Sequence, residues 1–110
     1  MKLLVVRYGR QLGHDDPDQA HGFTAAAEKI AEVPGLAWKL WSYDDDAKVA
    51  TSVYLFEDEE SARAWGDGPM KPALSSHEGI GEIEVSYFDV DEDLSAITRA
   101  PLTAPAQKTA

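Results

Sequence analysis

Residues 34–56 read PGLAWKLWSYDDDAKVATSVYLF, and the fold follows from this stretch. Pro34-Gly35 is a strong breaker pair that ends whatever precedes it. Leu36 to Tyr43 carries Trp38, Trp41 and two leucines, bulky residues suited to a pleated surface. Asp44-Asp45-Asp46 cannot be buried without partners, so it marks an exposed loop. Val49 to Phe56 is rich in β-branched and aromatic residues and has the length of a strand. A turn, a strand, an acidic hairpin loop and a second strand result.

Working outward, Lys2 to Tyr8 is apolar and partly β-branched, and reads as a first strand closed by Gly9. Gly9 to Asp18 is a loop of turn formers and charges, in which Asp16 or Asp18 caps a helix with Pro17 in its first turn. Within Gln19 to Val33, Ala20, Phe23, Ala27, Ile30 and Ala31 recur at spacings of three and four, which gives one apolar helical face. After the hairpin, Asp58 caps a helix whose first turn holds Glu59 and Glu60. That helix runs through Trp65 until Gly66, Gly68 and Pro69 break it. A short helix is expected over Pro72 to Glu78, closed by Gly79. Ile80 to Val90 reads as the fourth strand, and Glu92 to Thr98 as one or two helical turns.

The order is β-α-β-β-α-β, which predicts an α+β fold of the ferredoxin-like plait type, with helices over one face of an antiparallel sheet. Residues 1–100 form this domain and 101–110 a flexible C-terminal tail. If Tyr43 pairs with Val49, one sheet face holds Lys39, Trp41, Tyr43, Thr51 and Val53, and the other Trp38, Leu40, Ser52 and Tyr54. Neither face is polar enough to be wholly solvated. A homodimer through the sheet face is therefore expected, making a dimeric α+β barrel.

A formal charge of −10 over 110 residues argues against nucleic acid or an anionic membrane as partner. Cysteine is absent, which excludes disulfides, thiolate metal sites and cysteine nucleophiles. No segment is apolar enough to span a bilayer and no signal peptide is evident, so the default compartment is cytoplasmic.

Three runs resemble the YdhR-type mono-oxygenase family of the dimeric α+β barrel superfamily. Pro34, Gly35, Trp38, Lys39 and Trp41 match its P-G-x-x-W-K-x-W. Tyr54, Leu55, Phe56, Asp58, Ser61 and Ala62 match Y-L-F-x-D-x-x-S-A. Phe88, Asp89, Val90, Leu94, Ser95 and Ile97 match F-D-V-x-x-x-L-S-x-I. The resemblance implies a plait dimer with a pocket in each subunit between sheet and helices. The superfamily includes cofactor-independent mono-oxygenases acting on polycyclic phenols, antibiotic-biosynthesis enzymes among them, as well as haem-degrading enzymes and isomerases. Gly66-Asp67-Gly68-Pro69 departs from the family, whose members are more continuously helical there.

A cofactor-free oxygenase needs a dry aromatic pocket, an electron-rich substrate and a group that deprotonates it. Trp38, Trp41, Tyr54, Trp65 and Tyr87 are the candidate substrate-binding residues; the alternative is that they belong to the core or the dimer interface. His77 is the candidate base, since Met70, Leu74 and His77 at helical spacing turn its ring toward the sheet. The competing reading is a histidine stabilised at a helix C-terminus. Arg7 is the second candidate, to bind an oxyanion, or else to pair with Glu82 or Glu84. Lys39 between the tryptophans is open to the same two kinds of reading as Arg7, and snorkelling at an edge is favoured.

No metal or other cofactor is implied. His14 and His21 are seven apart without a further fixed ligand, and the acidic runs at 44–46 and 89–93 lack the glycine and the terminal glutamate of a calcium loop. The expected function is thus oxidation of an aromatic, polyketide- or quinol-like small molecule with dioxygen. The alternatives are a non-catalytic small-molecule-binding or stress-response dimer, an isomerase or cyclase on a related substrate, and haem degradation with His77 as iron ligand.

Overall fold

The computed structural model describes residues 1–103. Four strands, β1 (Lys2–Arg10), β2 (Leu36–Asp44), β3 (Val49–Phe56) and β4 (Ile80–Asp89), form one sheet in the order β2-β3-β1-β4, every neighbour antiparallel. Helices α1 (Pro17–Ile30), α2 (Glu59–Gly66) and α3 (Met70–Ser75) join them, and α4 (Glu92–Ile97) follows β4. The arrangement is the α+β ferredoxin-like plait. The expected tail falls mostly on 104–110, which lie outside the described residues.

Local chemistry explains the element ends. Asp16 caps α1 by accepting from the Gln19 amide, Asp58 caps α2 through the Ser61 amide, and Asp91 caps α4 through the Leu94 amide. Gly35 holds a φ of +81°, open to glycine at little cost, and a side chain there would also collide with Ser61. The third helix begins earlier than the expected Pro72 and stops at Ser75, because Pro69 leads directly into a helical turn. His77 therefore lies past the helix, its amide bonded to the Leu74 carbonyl at 3.2 Å.

Strand alternation sends Leu4, Val6 and Tyr8 of β1 toward the helices, where they are buried with Ala50, Tyr54, Phe56, Ala62 and Met70. No helix among the described residues is long and apolar enough to cross a membrane.

The hairpin register differs from the expected one. Tyr43 pairs with Ala50, and Asp44 with Val49, so Asp44 remains in the strand. Its side chain accepts from the Ala47 amide at 3.2 Å, and Lys48 closes the four-residue loop at a φ of 56°. One residue of slip turns every side chain of one strand over. Lys39, Trp41 and Tyr43 thereby share the helix-covered face with Ser52 and Tyr54. The open face receives Leu40 and Val53, paired with each other and in turn with Val5 of β1.

Candidate functional site

A cavity of about 120 Å³ lies between the sheet and the helices. Its floor comes from Val6, Lys39, Trp41, Ser52 and Tyr54, side chains of three adjacent strands. Its roof comes from Phe23, Ala26 and Ile30 of α1, Trp65 of α2 and Met70 and Leu74 of α3. His77 closes one end and Lys29 stands at the other. Lys29 and Trp65 also line an outer groove of about 470 Å³ between α1 and α2.

His77 meets the Phe23 ring edge-on, with centroids 4.7 Å apart, and its imidazole packs beside Gly22. Burial lowers its pKa, which favours the neutral ring able to accept a proton. The turn carrying it is tied to α1: buried Gln19 donates through Nε2 to the Glu78 carbonyl at 2.7 Å and accepts from Arg10 Nε at 2.8 Å. The Arg10 guanidinium in turn lies 4.8 Å from the Phe23 centroid. A polar chain from β1 through α1 thus sets the position of His77.

Lys39 is directly opposite Tyr54 across the β2–β3 ladder. Its Nζ lies 3.3 Å from the centroid of the Trp41 ring and 4.6 Å from that of Tyr54. No carboxylate pairs with it among the described residues. Desolvation brings its pKa down to about 7. Burial pushes the neighbouring Tyr54 hydroxyl up to about 12, so it stays protonated. Trp65 packs on Tyr54 at 6.5 Å between centroids; its buried Nε1 makes no hydrogen bond of good geometry but approaches the Tyr54 hydroxyl closely enough to offset a little of that group's upward shift.

The structure thus gathers Trp41, Tyr54, Trp65 and His77 around one cavity and leaves three predicted residues outside it. Arg7 is exposed on the opposite sheet face, because it sits one residue from Val6 and Tyr8 on an alternating strand. It stands opposite Glu84 in register, without an ion pair, and does not project into the pocket under the helices. Tyr87 shares a ladder row with Lys39 and Tyr54 but lies two strands beyond Tyr54, past Leu4. It packs under α2, where its hydroxyl donates to Asp67 at 2.7 Å and Arg63 covers its ring at 4.3 Å. Burial, then the Asp67 carboxylate, push its pKa up to about 12. Trp38 follows the bulge in β2; its indole donates to the Pro101 carbonyl at 2.8 Å, and it lines a separate groove at the sheet edge.

One wall residue, Phe23, presents itself in the sequence only as part of an apolar helix face. Lys39 is ambiguous there, with the edge reading favoured, and the observed register places it opposite Tyr54. Among the described residues no three His, Cys, Asp or Glu side chains converge as a metal site. His14 instead stacks on Tyr43 at 4.3 Å and bonds to Asp45.

Comparison with solved structures gives the same fold at low sequence identity. SnoaB from Streptomyces nogalater, described as a cofactor-independent oxygenase, superposes with a TM-score of 0.60 at 15% identity, covering 81% of this chain and 91% of its own. The monooxygenase ActVA-Orf6 of Streptomyces coelicolor, in complex with nanaomycin D, gives 0.58 at 24% identity, covering 81% and 86%. The haem degrader MhuD from Mycobacterium tuberculosis, with two haems in its active site, gives 0.57 at 17%, covering 81% and 95%. A comparison with functionally curated proteins gave no match. The model of the family described as "Putative mono-oxygenase ydhR" matches residues 5–101, so most of the chain lies within it. Both the three sequence runs and that match lead to one statement: the chain belongs to the YdhR mono-oxygenase family.

Proposed function

We propose that the protein is a cofactor-independent mono-oxygenase that oxidises an aromatic small molecule with dioxygen. The observation that carries this reading is the aromatic cavity closed by His77, a neutral imidazole against the Phe23 edge. His77 accepts the acidic proton of a phenol, naphthol or anthrone whose reacting ring lies against Trp41 and the α1 side chains. The resulting carbanion or phenolate passes one electron to dioxygen, and the two radicals combine at ring carbon to give a peroxide. Loss of water then leaves a carbonyl: a naphthol and one dioxygen yield a naphthoquinone and one water. The apolar walls keep bulk water from the intermediates.

Haem degradation fits this cavity less well. His77, the histidine that lines it, packs edge-on against Phe23 rather than standing free to ligate iron. The reading includes a homodimer through the open sheet face, where Leu40 and Phe88 are exposed.

The test is aerobic incubation of purified protein with a panel of naphthols and anthrones, without added metal or flavin, following oxygen uptake and product mass. Protein-dependent gain of one oxygen atom, lost in His77→Ala and kept in Arg7→Ala, is the expected result. Saturable quenching of Trp fluorescence with no oxygen uptake would instead identify a binding module.

A further inference from the structure

The chain has 20 acidic and 10 basic residues, yet the cavity lining reverses that balance. Two lysines and a histidine face it, and no Asp or Glu does. Its charged groups are Lys39 Nζ, flanked by the Trp41 and Tyr54 rings, and the exposed Lys29 at its edge. The remaining polar groups are the Ser52 and Tyr54 hydroxyls, the Trp65 indole and the His77 ring. A desolvated ammonium without an acceptor is costly, so a ligand that completes this site brings acceptor oxygen. An ammonium flanked by two aromatic faces and no carboxylate is best completed by an oxyanion.

Size narrows the class further. An engineered apolar cavity of about 150 Å³ holds one benzene, and this one measures about 120 Å³. The cavity is therefore slightly smaller than a benzene site, so no more than one ring enters, and only with small movements of Phe23, Leu74 and the other wall side chains.

We infer that the site binds the monoanion of an acidic phenol or enol, one ring inside the cavity, with its oxyanion paired to Lys39 Nζ. The inference rests on the oxygenase reading for its chemistry and adds the group that stabilises the substrate anion. The proton leaves the substrate O–H for His77 or solvent, and no other bond changes in this step. Lys29 of α1 and His77 beyond α3 are the other titratable groups that line the cavity with Lys39, and Tyr54 is neutral beside it. Its own desolvation, which favours the amine when the site is empty, is offset once an anion occupies it.

The probe is 4-nitrophenol, a single ring whose anion alone is coloured and which dioxygen does not consume. At about pH 6 the wild-type protein should bind it as the phenolate, raising the probe's ionisation constant at least about tenfold, the shift expected for a cation within ion-pair distance. Lys39→Met should abolish the colour, Lys39→Arg should restore it, and Lys71→Met, an exposed lysine of α3 outside the cavity lining, should keep it. Binding of the neutral phenol to wild type, colour that survives Lys39→Met or disappears with Lys71→Met, or no binding at all would overturn the inference. Should Lys39→Met fail to fold, Lys39→Gln supplies the same comparison and the wild-type arm still decides. Phenolate binding without oxygen uptake on any substrate would leave this inference standing and remove the oxygenase reading.

Discussion

Lys39 Nζ lies 3.3 Å from the centroid of the Trp41 ring, two residues along the same strand, with no carboxylate paired to it among the described residues. The contact returns part of the ammonium's lost hydration as a cation–π interaction, yet desolvation wins and the pKa falls to about 7. The folded chain therefore binds fewer protons than the unfolded one between about pH 7 and the ordinary lysine value of 10.5. Stability rises with pH across that window, and the cost of Lys39 is largest below it. Lys39→Met should stabilise the protein at about pH 6 by on the order of 1–2 kcal/mol, allowing for partial solvent exposure. The advantage should shrink as the pH approaches about 10. Urea midpoints at the two ends of this range are the check; an advantage that grows with pH contradicts the assignment.

Gln19 is buried and bonded at both ends, to Arg10 and to the Glu78 carbonyl. Replacement by Ala leaves the buried Arg10 guanidinium short of an acceptor and releases the turn that carries His77. A loss of about 2–3 kcal/mol is expected in chemical denaturation, as for hydrogen bonds involving a charged group. The His77 ring resonances should broaden or move as well, while those of His21, exposed on α1, stay in place.

Gly66 ends α2 where the Tyr87 hydroxyl comes closest to the helix. A Cβ at 66 would collide with that hydroxyl and stand 3.1 Å from Leu4 Cδ2. Overpacking of this kind costs about 1–3 kcal/mol, against roughly 1 kcal/mol gained in helix propensity. Gly66→Ala should therefore destabilise by about 1–2 kcal/mol. Removing the hydroxyl as well, in Gly66→Ala/Tyr87→Phe, should recover most of the steric part, and a double-mutant cycle on thermal unfolding measures it. The absence of a side chain at 66 thus makes room for Tyr87 under α2.

The strand order and most element ends are legible in the sequence because they depend on local chemistry: Pro34-Gly35, the Asp58 cap, and the β-branched run from Val49 to Phe56. The family match is legible in the same runs. Which side of the sheet each residue faces is not. It turns on whether Asp44 ends the strand or the loop, and a carboxylate that bonds the Ala47 amide suits either place in sequence. That single residue decides whether Lys39 lies beside Tyr54. The Arg10–Gln19–Glu78 link is equally hidden, since it joins residues up to 59 positions apart through a backbone carbonyl. Arg7 misleads for a simpler reason: its neighbours Val6 and Tyr8 define the helix-covered face, and alternation alone sends it away.

The open face supplies the remaining prediction. Leu40, Val53 and Val5 form one ladder row across three strands, and Leu3 and Phe88 belong to the next, in which Leu55 is already buried opposite Trp38. Leu40 is 60% exposed and Phe88 53%, beyond what isolated surface residues need explain, because they lie on one sheet face with no described helix of the α1–α3 layer over it. The far end of the same face carries Arg7, Ser42, Thr51 and Glu84, which suits a rim. A symmetric partner placed over the apolar rows would bury them on both copies at once. Sedimentation equilibrium should therefore return twice the 12.0 kDa chain mass for the wild type. Leu40→Glu, at an exposed position where the fold loses little, should return the single-chain mass with the melting temperature of the isolated subunit. Each dimer would then place two like charges in an apolar contact, a cost of several kcal/mol. A wild type that sediments as a single chain at about 100 μM would rule out a stable sheet-face dimer, since an interface above roughly 1,000 Å² should hold at that concentration.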